Sequence, residues 1–158
     1  MAIRKIRTEE DAILRKTSRP VEKFDERLFE LLDDMAETMK SADGVGLAAV
    51  QVGVLRRAVV IDVGDGLIEL INPEILEEEG VQCSLEGCLS LPGKQGYTLR
   101  PKTVKVKAQN RNGNWCVYKG NDLKAKAFCH EIDHLDGIIY TDKLANQEEI
   151  DKYGETEE

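Results

Sequence analysis

The chain has 158 residues, 41% hydrophobic and 33% charged, with a formal net charge of -8. That is the make-up of one soluble globular domain, spanning 1–158, with a core of its own. The acidic balance argues against broad nucleic-acid affinity, which needs a basic face, and leaves room for a local basic patch near Arg4, Lys5, Arg7, Arg15 and Lys16. No run approaches the ~18 apolar residues of a membrane span, so no membrane partner is expected.

The opening, MAIRKIRTEEDAILRK, lacks the apolar stretch of a secretory signal, and its mixed charges do not suit a transit peptide. It reads as an extended arm with a short helical stretch around Glu9–Lys16, ended by Pro20. Asp25 is placed to cap a helix running to about Lys40. Leu28, Leu32, Met35 and Met39 fall on one face of that helix, as core residues do. A glycine-rich segment, SADGVGLAAVQVG from Ser41 to Gly53, follows. Arg57–Val63 reads as a buried strand, and Leu67–Pro73 as its hairpin partner across Gly64-Asp65-Gly66. Thr103–Asn110 alternates like a half-buried strand. Asn112-Gly113 is a hairpin turn signal, and Asn114–Lys119 is the return strand. Asp122 is placed to cap a second helix that Gly137 ends. Ile138–Leu144 is a last strand or turn. From about Asn146 the tail is acidic, helical at its start and then fraying. The layout is α+β: mixed or antiparallel sheets around the second helix, with one further helix in the N-terminal half.

That second helix carries HEIDH, His130 to His134, and with it both histidines of the chain. Residues i and i+4 share a helix face, so the two rings can grip one ion. Glu131 sits ~100° round the helix, too far to be a natural third ligand but able to reach water on the ion. The alternative is a solvated helix that happens to hold two histidines. With no histidine left, a third ligand must be a carboxylate or a cysteine. The four cysteines, without an export signal, read as free or metal-bound thiols. Cys129 points away from His130 by helix rotation, and Cys116 lies in a strand as a packing thiol. Cys88, in EGCLSLPG, stands at a bend that can present a thiolate, whereas Cys83 has no such context. A closed finger of Cys83, Cys88, His130 and His134 would need a far longer gap than the about 12–15 residues of a finger.

Three segments, GVGLAAVQ (Gly44–Gln51), EGCLS (Glu86–Ser90) and HEIDH, stand in an order and spacing that resembles peptide deformylase of the bacterial type. The resemblance runs from ILRKTSRPV to TDKL. It implies a metal-dependent hydrolase that removes the N-formyl group from the formylmethionine of newly made polypeptides, releasing formate. It implies Cys88, His130 and His134 as metal ligands and Glu131 as the acid/base. Gln51 and the Leu89 backbone N–H are implied as oxyanion donors. Gly46 is the implied holder of the substrate main chain, beside Val45 as a pocket wall with Leu89 and Ala127. The implied cofactor is one divalent ion, natively Fe2+, with Zn2+, Ni2+ or Co2+ as other occupants. A ferrous-thiolate site is open to sulfur oxidation. The implied partners are nascent formyl-Met polypeptides, with transient ribosome proximity, in a bacterial cytoplasm.

Two departures and one pairing stand out. Many family members carry Gln where this chain has Cys129, which places a second thiol in sequence beside the site and predicts added oxidation sensitivity. Some carry Arg where this chain has Gln95, so the substrate grip rests more on main-chain bonds. The acidic tail gives no reason to carry over docking through a basic C-terminal helix. Glu86 and Arg100 either pair to fix the cysteine loop or are unrelated surface charges. Two other functions compete with a deformylase: an HExxH peptidase, against which the cysteine and the glycine segment speak, and a non-catalytic structural metal module, which has no use for Glu131.

Overall fold

Asp25 accepts the Leu28 N–H at 3.2 Å and opens helix α1, Glu26–Ser41, where the sequence predicts it. The structure is a computed structural model and describes residues 2–154. The N-terminal arm contains only a short 3-10 turn, Ala12–Arg15. After α1 the strands are β1 (Gly46–Ala48), β2 (Ala58–Ile61), β3 (Ile68–Glu79), β4 (Gln82–Cys88), β5 (Leu91–Arg100), β6 (Thr103–Gln109) and β7 (Trp115–Asn121). Helix α2, Leu123–Leu135, carries HEIDH, and α3, Gln147–Tyr153, lies in the acidic tail.

Five strands form one sheet in the order β1-β2-β3-β6-β7, and β4 and β5 form a second. Every strand pairing within them is antiparallel. The run AVVI of β2 is buried at all four positions because both faces of the sheet are covered there. Val59 and Ile61 face a core shared with Phe128, Ile132 and Leu135 of α2. Ala58 and Val60 face Leu32, Met35 and Met39 of α1. Period-2 alternation thus splits one apolar run between two cores.

Two expectations need correction, and one hairpin was not expected. The strand expected to stop at Pro73 continues to Glu79, because register shifts between Ile71 and Glu74 and again by Glu77 absorb the proline. Asp122 occupies the cap position of α2, but with φ at 52° its side chain makes no capping bond. The β4–β5 hairpin was not anticipated, because its pattern is inverted: Glu86, Thr98 and Arg100 are buried while Leu85 and Tyr97 are exposed. The end of α2 is as expected. Ile138 N–H bonds Asp133 O and Gly137 N–H bonds His134 O, the paired closure that needs a left-handed residue. Gly137 supplies it at φ 74°.

Residues 138–144 contain a 3-10 turn, Tyr140–Lys143, rather than a strand. The tail continues as α3, whose Asn146 cap accepts the Glu149 N–H at 2.8 Å. The last tail residues, 155–158, lie outside the described part. Among the described residues no helix is long and apolar enough to cross a membrane.

Candidate active site

Helix α2 brings His130 and His134 one turn apart, with their Nε2 atoms 3.3 Å from each other. Cys88 arrives from the end of β4. A register shift after Glu86 turns its Sγ to 3.3 Å from His134 Nε2. The three donor atoms lie within 4.8 Å of one another. Among the described residues this is the one such group. Cys83, fully buried opposite Leu99, takes no part in it, so the closed four-ligand finger is not formed. Cys129 packs into the core between α2 and the sheet, and burial pushes its thiol up to about 12. Cys129 thus faces the core, and it is not among the residues that line the groove.

The His130 ring is held by a buried ionic network. Glu86 meets His130 Nδ1 at 2.5 Å. Glu86 also accepts Arg100 Nη2 at 2.7 Å, Arg100 Nε at 3.1 Å and the Thr98 hydroxyl at 2.8 Å. Arg100 reaches on to Asp133 at 2.6 Å, closing a loop back to α2. Of the two sequence alternatives, Glu86 and Arg100 therefore pair, with side chains only 3% and 4% exposed. Burial alone would raise the Glu86 carboxyl, but the bonds from His130 and Arg100 outweigh it and hold it at about 2. The Nδ1 contact with Glu86 orients the His130 ring so that its Nε2 lies 3.3 Å from His134 Nε2. Thr98 and Asp133 carried no weight in the sequence reading. Asp133 was visible as a charge inside HEIDH, but its partner was not.

The two rings are shifted in opposite directions. Burial alone would lower His130, yet Glu131, Cys88 and Glu86 together raise it well above its ordinary value. Burial, and then His130, keep His134 well below its own. One cysteine sulfur and two imidazoles form a donor set suited to a divalent ion of intermediate softness. The residues therefore fit the ion that the motif implies.

Around this cluster lies a groove of about 360 Å³. Glu131 lines it, and burial raises its carboxyl to about 7 against the pull of His130. Its Oε2 is 3.9 Å from His130 Nε2, and its Oε1 is buried without a partner among the described residues. Gly46 packs so closely that an added Cβ would lie 2.6 Å from Glu131 Oε2. Gln51 is oriented by the Ala48 N–H, which donates to its Oε1 at 2.9 Å. Its Nε2 is thereby aimed at Ser90 Oγ, 3.1 Å away, and at Cys88 Sγ, 3.5 Å away. Ser90 was also missed by the sequence reading. Leu89 stands in the turn after β4 and lines the groove with Val45 and Ala127. The eight predicted site residues thus converge on one place, His134 lying beneath the groove and the other seven lining it.

Three donor atoms that could hold an ion, with a buried carboxylate beside them, suit a metal-dependent hydrolase. The polypeptide deformylase family profile matches residues 3–149. A peptide deformylase of Alkaliphilus metalliredigens is 60% identical over 147 residues, 93% of this chain and 100% of that protein. One from Acetivibrio thermocellus is 62% identical over 144 residues, covering 91% and 85%. The crystal structure of the Thermotoga maritima peptide deformylase superposes with a TM-score of 0.90 at 43% identity, covering 92% of this chain and 100% of that one. The chain belongs to the polypeptide deformylase family. It is an enzyme, a metal-dependent hydrolase that removes the N-formyl group from the formylmethionine of new polypeptides.

Proposed function

We propose that residues 1–158 act as one catalytic domain in which Cys88, His130 and His134 hold a single divalent ion. Fe2+ is the native occupant of this reading, with Zn2+, Ni2+ and Co2+ as substitutes. When bound, such an ion polarises a carbonyl and lowers the pKa of water to about 7. Glu131 accepts the proton of the attacking water and returns it to the leaving amine. Gln51 Nε2 and the Leu89 N–H donate to the oxygen that gains charge as the formyl carbon becomes tetrahedral. One such donor is worth about 3 kcal/mol. The Gly46 backbone binds the substrate main chain, and Val45, Leu89 and Ala127 wall the methionine side chain. The partners are nascent formyl-Met polypeptides met near the ribosome, in a bacterial cytoplasm.

The observation that carries the reading is the partnerless Glu131 oxygen beside the three-ligand cluster. A purely structural site gains nothing from a buried carboxylate left unpaired. The test is formate release from formyl-Met-Ala-Ser by anaerobically purified, iron-loaded protein, with the acetylated peptide as control. Release from the formyl peptide alone is expected. Glu131→Gln should keep the ion and lose turnover by about 10²–10⁴-fold. An unchanged rate in that variant, or none in the loaded wild type, would overturn the assignment.

A further inference from the structure

A donor helps a reaction only if it is aimed before charge develops, so what holds Gln51 matters as much as Gln51 itself. Its main chain is fixed from behind. Gln51 lies in a 3-10 turn, Ala49–Val52, and its carbonyl accepts the Arg7 N–H of the N-terminal arm at 2.7 Å. Gly53 ends that turn with φ at 86°, and the Arg7 guanidinium packs against the place where a Cβ would stand, 2.9 Å from its Nη2. The backbone is thus anchored, but the amide sits at the end of a long, rotatable side chain. At its Oε1 the Ala48 N–H makes one contact, 2.9 Å long. One contact leaves the amide free to pivot about that bond; a second, at the other end, fixes its plane.

Ser90 supplies the second contact. Its Oγ lies 3.1 Å from Gln51 Nε2. Ser90 is fully buried, and it is not among the residues that line the groove, so its hydroxyl meets the amide and not the substrate. It comes from the turn after β4, 39 positions along the chain from Gln51, next to Leu89, whose N–H is the other proposed donor. An amide nitrogen carries two N–H groups. With one held by Ser90 Oγ, the other is left to Cys88 Sγ, 3.5 Å away. Sulfur is a weak acceptor, so that second N–H can turn to a carbonyl oxygen that gains charge. Gln51 is 1% exposed, so bulk water cannot take over the part of Ser90.

We propose that Ser90 is a positioning residue of the reaction: its hydroxyl holds one N–H of Gln51 and so keeps the other directed to the oxyanion. The proposal rests on the deformylase assignment and on the donor role of Gln51 within it. Removing the hydroxyl leaves a buried N–H without its acceptor, and the amide then pivots on its remaining contact. The loss falls on the transition state, where the donor is used, and leaves substrate affinity in place, so it reads in kcat and not in KM.

The experiment measures formate release from formyl-Met-Ala-Ser for the iron-loaded wild type, Ser90→Ala, Gln51→Ala and the double variant, with ion content determined for each. Ser90→Ala should lower kcat about tenfold, short of the about 10²–10³-fold of losing a donor outright, with KM changed by about twofold or less. In the Gln51→Ala background the same change should cost about twofold or less, because there is no amide left to hold. Ion content should stay near one per chain. An unchanged kcat in Ser90→Ala would overturn the proposal. So would an equal loss in both backgrounds, or a loss of ion that accounts for the lost rate, either of which makes Ser90 a brace for the Cys88 turn. Gln51→Ala turning over as fast as the wild type would refute the donor role and the proposal with it. A wild type that releases no formate would refute the deformylase assignment beneath both.

Discussion

Replacing Arg100 by methionine removes the cation from the network behind His130 while keeping most of the side-chain volume. Arg100 makes two bonds to Glu86 and one to Asp133, at 3.1, 2.7 and 2.6 Å. Glu86 would keep only the Thr98 hydroxyl and His130 as donors. Its side chain is 3% exposed, so water cannot replace the lost charge. Breaking a buried pair in this way costs about 3 kcal/mol at the lower end of the usual range. For a chain of this size that cost lowers the melting temperature by roughly 6–12 °C, measurable by calorimetry. Titration with Zn2+ should show a second effect. A His ring whose partner is loosened loses about 10–100-fold in metal affinity. Arg100→Lys should fall between, since an ammonium restores charge without the two-pronged geometry. A methionine variant that melts within about 2 °C of the wild type and binds the ion equally well would refute the reasoning. A lower melting temperature with unchanged affinity would make the network a brace for the fold alone.

Gly46→Ala should cut kcat by about 10²-fold, because the new Cβ would crowd the Glu131 side chain and misplace it. Contacts of 2.6, 2.8 and 2.9 Å to Oε2, Cγ and Cδ show that the whole carboxylate arm must move. Ion content, read by atomic absorption, should be unchanged. Cys88→Ser should lower ion content sharply while Cys83→Ser leaves it near one per chain; equal losses would restore the four-ligand finger. Asp34 predicts an acid effect away from the site. The Ala2 N–H and then Arg4 hold its carboxyl below the ordinary 3.8 against burial. A depressed folded value gives stability that is present above the unfolded value and lost as pH falls through the folded one. Asp34→Asn should therefore lose less stability than the wild type between about pH 6 and about pH 3 in denaturant melts; parallel losses would sink this account.

Some of this molecule was legible residue by residue. Asp25, the apolar face of α1, the β6–β7 hairpin with Asn112-Gly113 at its turn and the Gly137 stop of α2 are local signals, and each stands where it was read. HEIDH pairs its histidines through helical spacing alone. The β4–β5 hairpin was illegible because burial there selects charge. Glu86 and Arg100 are buried because they satisfy each other across strands, while Leu85 and Tyr97 stay exposed. A method that reads hydrophobic residues as the buried ones inverts such a hairpin.

The sequence by itself determined the α+β class, the histidine pair on one helix face, the carboxylate beside it and, through three ordered segments, the resemblance to deformylases. Only the tertiary structure decided that Cys88 meets His134 across 46 positions, that Arg100 couples Glu86 to Asp133, and that Cys129 faces the core. Periodicity and capping act over a few residues, so a chain declares them locally. The partner that satisfies a buried charge or completes a ligand set comes from another element, and only packing brings it within reach.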